Sequence, residues 1–474
     1  MSMKIFGHYV ALPTMLLAFV DGAVFFTTVE LLGLGHWCAH CYLAAGGTLG
    51  VVDVALLAIA FVLIATSVGL YNSDAIRNFP VFLKRFALAG QIIFIPSVLI
   101  LAITKISRGV PFGWFVGVLS VEIVLFLAFL LAVRTVLLLW LDLPFLKRRI
   151  LILGQGETAA ASDSFIRNAG SGHLVLARAI PANHHAVRRL SVDGTLALQP
   201  APGSTAPLIE LARSLHIDEI VVAVTEHRGL PIWQLLECKL AGINVIDYLA
   251  FWERETGCID FAHAGPGWLT FSSGFTFKDR DRTLKRIFDF AISLCFLLAM
   301  APVMILTAIA ITLESRGPIF YRQERVGLNG ALIRLWKFRS MHVNAEADGN
   351  PKWASRSDNR ITRVGRFIRK VRIDEVPQAI NVLLGEMSFI GPRPERPYFV
   401  EQLRKEIPYY DLRHKVKPGI TGWAQVNYPY CASIDDAKKK HAYDLYYVKN
   451  HDIFLDLAIL AQTVRVVLFA EGAR

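Results

Sequence analysis

Residues 288–313 read FDFAISLCFLLAMAPVMILTAIAITL, and the way this run meets a lipid bilayer decides the architecture of the chain. It exceeds the ~20 apolar residues that span a hydrocarbon core, and Pro302 stands near its middle. If the run crossed, everything after Glu314 would lie beyond the membrane, including Arg334, Lys337, Arg339, Arg356, Arg360, Arg363, Arg366, Arg369, Lys370 and Arg372. Basic residues are retained on the cytoplasmic side, which opposes that outcome. A proline removes one backbone donor and crowds the preceding turn, so the run is expected to break at Pro302 and return to the face it entered. Lys285 and Arg286 before it and Arg316 after it can reach headgroups on that one face. The residues predict a re-entrant membrane helix over 288–313.

Upstream the chain is more apolar still. Its hydrophobic fraction is 54% of 474 residues, gathered into runs at about 8–33, 48–71, 86–104 and 113–141, which predict a four-helix transmembrane region over 1–145. Arg77, Lys84 and Arg85 lie between the second and third runs and Lys147, Arg148 and Arg149 follow the fourth, whereas 34–47 has no Lys or Arg. Both ends of the bundle are therefore expected on the cytoplasmic side, with Lys105 and Arg108 weakening the bias. The first run lacks a small-residue cleavage pattern and is expected to stay in the membrane. Asp21, Glu122 and Arg134 within or near the runs are read as packing or end-anchoring residues. HWCAHC, His36 to Cys41, admits a disulfide or a metal, but without a second ligand pair unrelated Cys and His are the simpler reading.

From Arg149 the pattern changes. RILILG, LVLARAI, EIVVAV and GINVID alternate with helix-like stretches such as PLIELARSLH, which predicts a soluble, mainly parallel α/β domain over 146–262. Its opening, ILILGQGETAA, sets Gly154, Gly156 and Ala159 between a strand and a helix as a dinucleotide-binding turn does, giving a Rossmann-like expectation. No acidic residue ends a following strand to hold a ribose, so a fold that keeps the turn without the ligand is favoured. Residues 263–283 read as a linker, and 284–474 as a third, mainly helical domain. The formal charge of +11 is concentrated outside the apolar runs, where it suits anionic headgroups or phosphorylated substrates.

Five blocks of that last domain carry chemistry: KRIFDF (285–290), RGPIFYRQERVG (316–327), WKFRSM (336–341), RITRVGRFIRKVRIDEVPQAINVLLGEMSFIGPRPE (360–395) and KPGITGWAQVN (417–427). Arg363, Arg366, Arg369 and Lys370 recur at helical spacing just before Asp374 and Glu375, so on a helix they form a cationic face beside two carboxylates. Such a face attracts a diphosphate and is expected to depress the pKa of the adjacent carboxylate, keeping it ionised as a nucleophile. Arg393 between Pro392 and Pro394 has its direction restricted by the backbone. Trp336, Trp423, Tyr446 and Tyr447 suit either a membrane interface or ordinary packing. The short apolar run 454–469 is expected to lie on a membrane surface or on the domain itself.

In order and spacing these blocks, covering about 283–468, resemble the bacterial sugar transferase family of monotopic phosphoglycosyl transferases. The upstream spans and α/β domain resemble its larger members, which prime exopolysaccharide or O-antigen synthesis, and DYLAFWERETGCIDF looks like the exosortase-linked subgroup. The resemblance implies transfer of a hexose 1-phosphate from a UDP-sugar to polyprenyl (undecaprenyl) phosphate, releasing UMP, at the cytoplasmic face of the bacterial inner membrane. It implies Asp374 as the nucleophile, Glu375 as the carboxylate beside Mg²⁺, and Lys337, Arg339, Arg366, Arg369, Gln378, Arg393 and Glu395 as substrate-binding residues. The implied partners are the UDP-sugar, polyprenyl phosphate and membrane lipids, with no nucleic acid; the spans and α/β domain offer surfaces for a homodimer. Glucose is the first expectation for the sugar and galactose or another hexose the alternative. A membrane nucleotide-sugar dehydratase or epimerase would need a Tyr-x-x-x-Lys pair, which the sequence lacks. A non-catalytic scaffold is opposed by the intact Asp374-Glu375 pair.

Overall fold

The computed structural model describes residues 2–5, 8–31, scattered positions between 58 and 135, and then 148–168, 174–180, 208–224, 230–276, 279–342, 360–428 and 433–468. The 34–47 loop with Cys38 and Cys41, and most of the runs at 48–71, 86–104 and 113–141, lie outside the described residues. Tertiary contacts divide the chain into two units, Met1–Thr256 and Gly257–Arg474.

In the first unit, β1 (Ser2–Ile5) and β2 (His8–Ala11) pair antiparallel, and α1 (Leu12–Leu31) begins with Pro13 in its first turn, where a missing N–H costs nothing. The first apolar run is thus helical only from Leu12. Leu17 and Val24 of α1 pack with Phe61, Ala65, Phe82 and Phe86, and Asp21 is buried on the same helix. Arg85 is buried as well, donating to the Gly69 carbonyl at 2.9 Å.

The α/β elements stand where the alternation placed them. They are β3 (Arg148–Leu153), α2 (Glu157–Asn168), β4 (Leu174–Ile180), α3 (Leu208–Ser214), β5 (Glu219–Val222), α4 (Ile232–Leu240), β6 (Asn244–Asp247) and α5 (Tyr248–Thr256). The four strands are parallel in the order β4-β3-β5-β6. Side chains alternate across a strand, so Leu151 and Leu153 face α3 and α4 through Leu208, Ala212 and Leu235, while Ile150 and Ile152 face Ala159, Tyr248 and Phe251. Gly154 is required by this packing, since a Cβ there would lie 1.9 Å from the Ala223 carbonyl oxygen, and Gly156 has φ +93°. Arg148 is half-buried in an ion cluster with Glu219 (3.1 Å) and Glu255 (2.9 Å), and Arg254 joins Glu219 at 2.6 Å. One of the charges counted toward membrane orientation therefore serves the fold instead.

In the second unit, α6 (Pro266–Phe271) lies in the stretch read as a linker. It is bonded into the unit, because Phe275 N–H donates to Lys449 O, and just before it residues 257–262, read with the α/β domain, join the same unit as Ile259 N–H donates to Ala442 O and the Trp423 indole N–H to Gly257 O. Next comes α7 (Asp279–Glu314), the one described helix long and apolar enough to cross a membrane; only 11% of its apolar window is buried. Leu298 is 68% exposed and Leu313 82%. The helix continues through Pro302, so the expected break into two helices does not occur. A proline removes a single i to i−4 bond, and the turns on either side close theirs.

Both ends of α7 are nonetheless bonded to the same unit. Near its start, Lys285 Nζ lies 2.7 Å from Asp456, and the Arg286 guanidinium donates to the Val382 and Leu383 carbonyls. At its end, the Glu314 carboxylate accepts the Arg363 and Val364 amides at 2.6 and 2.9 Å. The remaining elements are β7 (Phe320–Val326), β8 (Leu332–Phe338), α8 (Arg363–Lys370), α9 (Gln378–Leu384), β9 (Ser388–Ile390), α10 (Pro397–Glu406), β10 (Gly419–Thr421), α11 (Trp423–Asn427), α12 (Ile434–Asn450) and α13 (Ile453–Leu468). Asp456 is buried and also bonded to the Tyr447 hydroxyl, so α13 packs on the domain along that side. Tyr446 and Tyr447 are buried, Trp423 stacks on Tyr446, and Trp336 carries the Arg322 guanidinium 3.8 Å from its ring centre.

Candidate active site

The β7–β8 hairpin sets one wall of a cavity of about 470 Å³. Its strands are antiparallel with Tyr321 opposite Lys337, and residues two apart share a face, so Tyr321, Gln323 and Arg325 all reach the cavity with Lys337. The opposite wall is the link between α8 and α9. Thr362 caps α8 through the Gly365 amide, the helix ends at Val371, and Arg372 takes a left-handed conformation (φ 60°, ψ 17°). That reversal starts a short 3₁₀ turn, Ile373–Glu375, which carries both carboxylates inward; each residue is 8% exposed.

A third wall comes from the loop after β9. β9 and β10 pair in parallel, Gly419 with Ser388 and Thr421 with Ile390, bringing the IGPRPE and KPGITG blocks together. The approach is close enough that a Cβ on Gly391 would lie 2.4 Å from the Lys417 carbonyl oxygen. Arg393 leaves this loop toward Glu375, donating at 2.6 Å to Oε1 and 3.2 Å to Oε2, while Lys337 Nζ donates to Oε1 at 3.1 Å. Burial alone would raise the Glu375 pKa, but the Arg393 and Lys337 charges overcome it and hold the carboxyl well below its usual range. Asp374 behaves oppositely. Burial first, and the negative Glu375 second, push its pKa up to about 6 against the pull of Lys337, Arg369 and Arg372. The expectation that the cations would depress the pKa of the nucleophile is thus met by its neighbour, because among the described residues direct ion pairs go to Glu375 and none to Asp374. Lys337 is itself lowered, chiefly by burial.

The other sequence-derived residues separate by position. Arg369 and Glu395 line the cavity, Glu395 pairing with Arg325 at 3.4 Å. Arg339 lines it too, but its guanidinium caps the end of α7, donating to the Ser315 and Arg316 carbonyls at 2.7 and 3.1 Å. Arg366 is exposed on α8 and Gln378 is buried in α9, and neither lines the cavity. The proposed cationic face therefore splits: Arg369 turns to the cavity, while Arg363, Arg366 and Lys370 face outward.

Several residues went unrecognised in the sequence. Arg325 bridges Gln323 Oε1 (2.7 Å) and the Pro394 carbonyl (3.1 Å), a placement that the period-two spacing in YRQERVG could have suggested. Buried Arg413 donates to the Arg393 carbonyl at 2.8 Å and pairs with Asp444 at 2.8 Å, fixing the backbone from which Arg393 projects. Among the described residues no three His, Cys, Asp or Glu side chains converge as a metal site. Asp374 Oδ1 is buried without a hydrogen-bond partner, whereas both Glu375 oxygens are engaged. A divalent cation that binds through one carboxylate and substrate phosphates therefore fits at Asp374, and fits Glu375 only if an ion pair parts.

A carboxyl titrating at about 6 has a direct consequence. With Asp374 in the role of nucleophile that the resemblance implies, attack needs the carboxylate, so turnover should fall about tenfold per pH unit below about 6 and level off above it. A pH profile flat down to pH 5 would contradict this placement of Asp374.

The family model described as "Bacterial sugar transferase" matches residues 280–470. The chain is 43% identical over 266 residues to a UDP-N-acetylgalactosamine-undecaprenyl-phosphate N-acetylgalactosaminephosphotransferase of Aeromonas hydrophila, covering 55% of this chain and 61% of that one. It is 36% identical to a UDP-glucose:undecaprenyl-phosphate glucose-1-phosphate transferase of Klebsiella pneumoniae, covering 58% and 59%. It is 44% identical over 194 residues to the uncharacterized sugar transferase EpsL of Bacillus subtilis, covering 40% of this chain and 89% of that relative. The matched stretch thus spans about three fifths of the length of the first two relatives.

Proposed function

This chain belongs to the bacterial sugar transferase family, and from that premise we propose that it moves a hexose 1-phosphate from a UDP-sugar to undecaprenyl phosphate through an aspartyl phosphosugar. The observation that carries the reading is the buried Asp374-Glu375 pair with divided charge. Glu375 is held ionised by Arg393 and Lys337, and Asp374 is poised near neutrality in a cation-lined cavity.

In the first step an Asp374 oxygen attacks the β-phosphorus of the donor. A carboxylate O–P bond forms, the P–O bond to the α-phosphate breaks, and UMP leaves with the bonding electrons. In the second step an oxygen of the lipid phosphate attacks the same phosphorus and Asp374 departs as carboxylate. Lys337 and Arg393 hold Glu375 so that their positive charge faces the transferring group, and Arg369 adds to it from α8. Mg²⁺ bound at Asp374 and the diphosphate would offset the repulsion between an anionic nucleophile and an anionic donor.

The membrane reading rests on α7. Its exposed apolar length suits a bilayer, and with both ends bonded to one unit we read it as bending at Pro302 without breaking, so that it enters and leaves on the same, cytoplasmic face of the inner membrane. The first unit is read as a membrane bundle followed by a Rossmann-like domain, in which Gly154 serves packing. A homodimer is compatible with its surfaces.

Relatives named for both glucose and N-acetylgalactosamine widen the donor choice beyond glucose and galactose. The test is a panel of UDP-glucose, UDP-galactose and UDP-N-acetylgalactosamine given to the protein in lipid nanodiscs with undecaprenyl phosphate. The expected result is UMP together with one undecaprenyl-diphosphate sugar identified by mass. Absence of UMP and of any lipid product across the panel would overturn the reading.

A further inference from the structure

The cations that bear on the two carboxylates differ in what they are free to do. Lys337 and Arg393 are committed to Glu375 by the bonds already described. Arg369 and Arg372 act on Asp374 from the α8 side. Arg372 is the unusual one. It keeps a left-handed backbone, which residues bearing a β-carbon adopt at a cost and which concentrates at functional sites. Its side chain is 56% exposed, it lines the cavity, and it reaches Glu375 only at 3.9 Å.

Beside it, among the outward-facing cations of α8, stand two exposed apolar side chains. Val371, the preceding residue, is 43% exposed, and Phe367 is 62% exposed one helical turn earlier on the same face of α8. Glu314 and the packing of Ile368 against Ile311 and Phe338 hold α8 on the end of α7, where Leu313 stands exposed. A guanidinium at the cavity mouth therefore adjoins an apolar surface that continues onto the membrane-seeking helix. The soluble donor has no use for that surface. A ligand that matches both parts carries one phosphate on a long hydrocarbon.

We infer that Arg372, with Phe367 and Val371 beside it, forms the subsite that receives the phosphate of the isoprenoid acceptor for the second transfer. The inference rests on the transferase reading and assigns the acceptor to the α8 side of the cavity, apart from the Lys337–Arg393–Glu375 cluster. Arg372 offsets the charge of the attacking lipid phosphate; no proton moves, and the bond to Asp374 breaks as the new P–O bond forms.

Arg372→Gly tests this without a folding penalty, since glycine adopts φ 60° more readily than arginine. In nanodiscs, the KM for undecaprenyl phosphate at saturating UDP-sugar should rise about tenfold, as expected for loss of a charged hydrogen bond. The burst of UMP released by the full chain without lipid acceptor should fall much less, and Arg372→Lys should recover part of the KM. Equal losses of burst and lipid-dependent turnover would place Arg372 on the donor and overturn the inference. So would weakened binding to anionic phospholipid vesicles with an unchanged acceptor KM, which would make it a general headgroup contact. If the parent protein shows no UMP burst at all, the transferase reading itself falls, and the subsite with it.

Discussion

Asp374→Asn should abolish UMP release from every UDP-sugar while leaving a protein at least as stable as the parent. The amide is close in shape but supplies no anionic oxygen to attack phosphorus, so the step that starts the reaction is lost. Stability should move the other way because of how the carboxyl titrates. Its folded pKa of about 6 exceeds the ordinary aspartate value of 3.8, so between those values the folded state binds more protons than the unfolded one. Stability attributable to Asp374 therefore falls as pH rises through that window and stays reduced above it. Asparagine removes the penalty, and the gain at pH 7 should be on the order of 1 kcal/mol, read as a higher midpoint in chemical denaturation. Retained UMP release would remove Asp374 from the nucleophile's role. A large loss of stability would show that the carboxylate is a structural anchor.

Arg393→Ala should damage fold and activity together. It removes two hydrogen bonds from a buried carboxylate and leaves Glu375 with Lys337 as its close partner. Breaking a buried pair from one side costs about 3–5 kcal/mol, and the partial exposure of Arg393 argues for the lower end. Transfer should fall by about a hundredfold or more, as when a preorganised donor is removed from a charged transition state. The two effects can be separated by adding Glu375→Gln. The double variant should regain much of the stability, because the stranded charge is gone, and should remain inactive, because the cation is still missing. Additive stability losses would show that the two side chains do not act as a pair. Arg413 and Asp444 belong to the same assembly, holding the Arg393 backbone from behind.

Much of this arrangement was legible in the sequence, for reasons that are local. Unbroken apolar runs in RILILG and EIVVAV bury both faces as central strands, and they form β3 and β5. The apolar length of 288–313 is a property of composition, and it remains as the exposed surface of α7. Asp374, Glu375, Lys337, Arg369, Arg393 and Glu395 were all identified from motif order, and they meet in one cavity. Arg339 and Arg366 came from the same reasoning, yet one caps a helix end and the other faces outward. A basic residue near a motif carries no mark of which carbonyls or carboxylates will surround it.

What the sequence by itself determined was the set of parts: apolar runs suited to a membrane, a parallel α/β layer, and a basic segment carrying two adjacent carboxylates. Only the tertiary structure decided how the charge of those carboxylates is divided. Arg393 and Lys337 arrive from separate strands and loops to pair with Glu375, and Asp374 is left buried beside it without an ion pair. Likewise Pro302 predicted a broken helix, whereas the fold keeps α7 whole and brings both of its ends to one unit through Arg286 and Glu314. The physical reason is the same in both cases. Spacing along the chain sets which groups are available, while burial and the distance between groups remote in sequence set their charge and which of them meet.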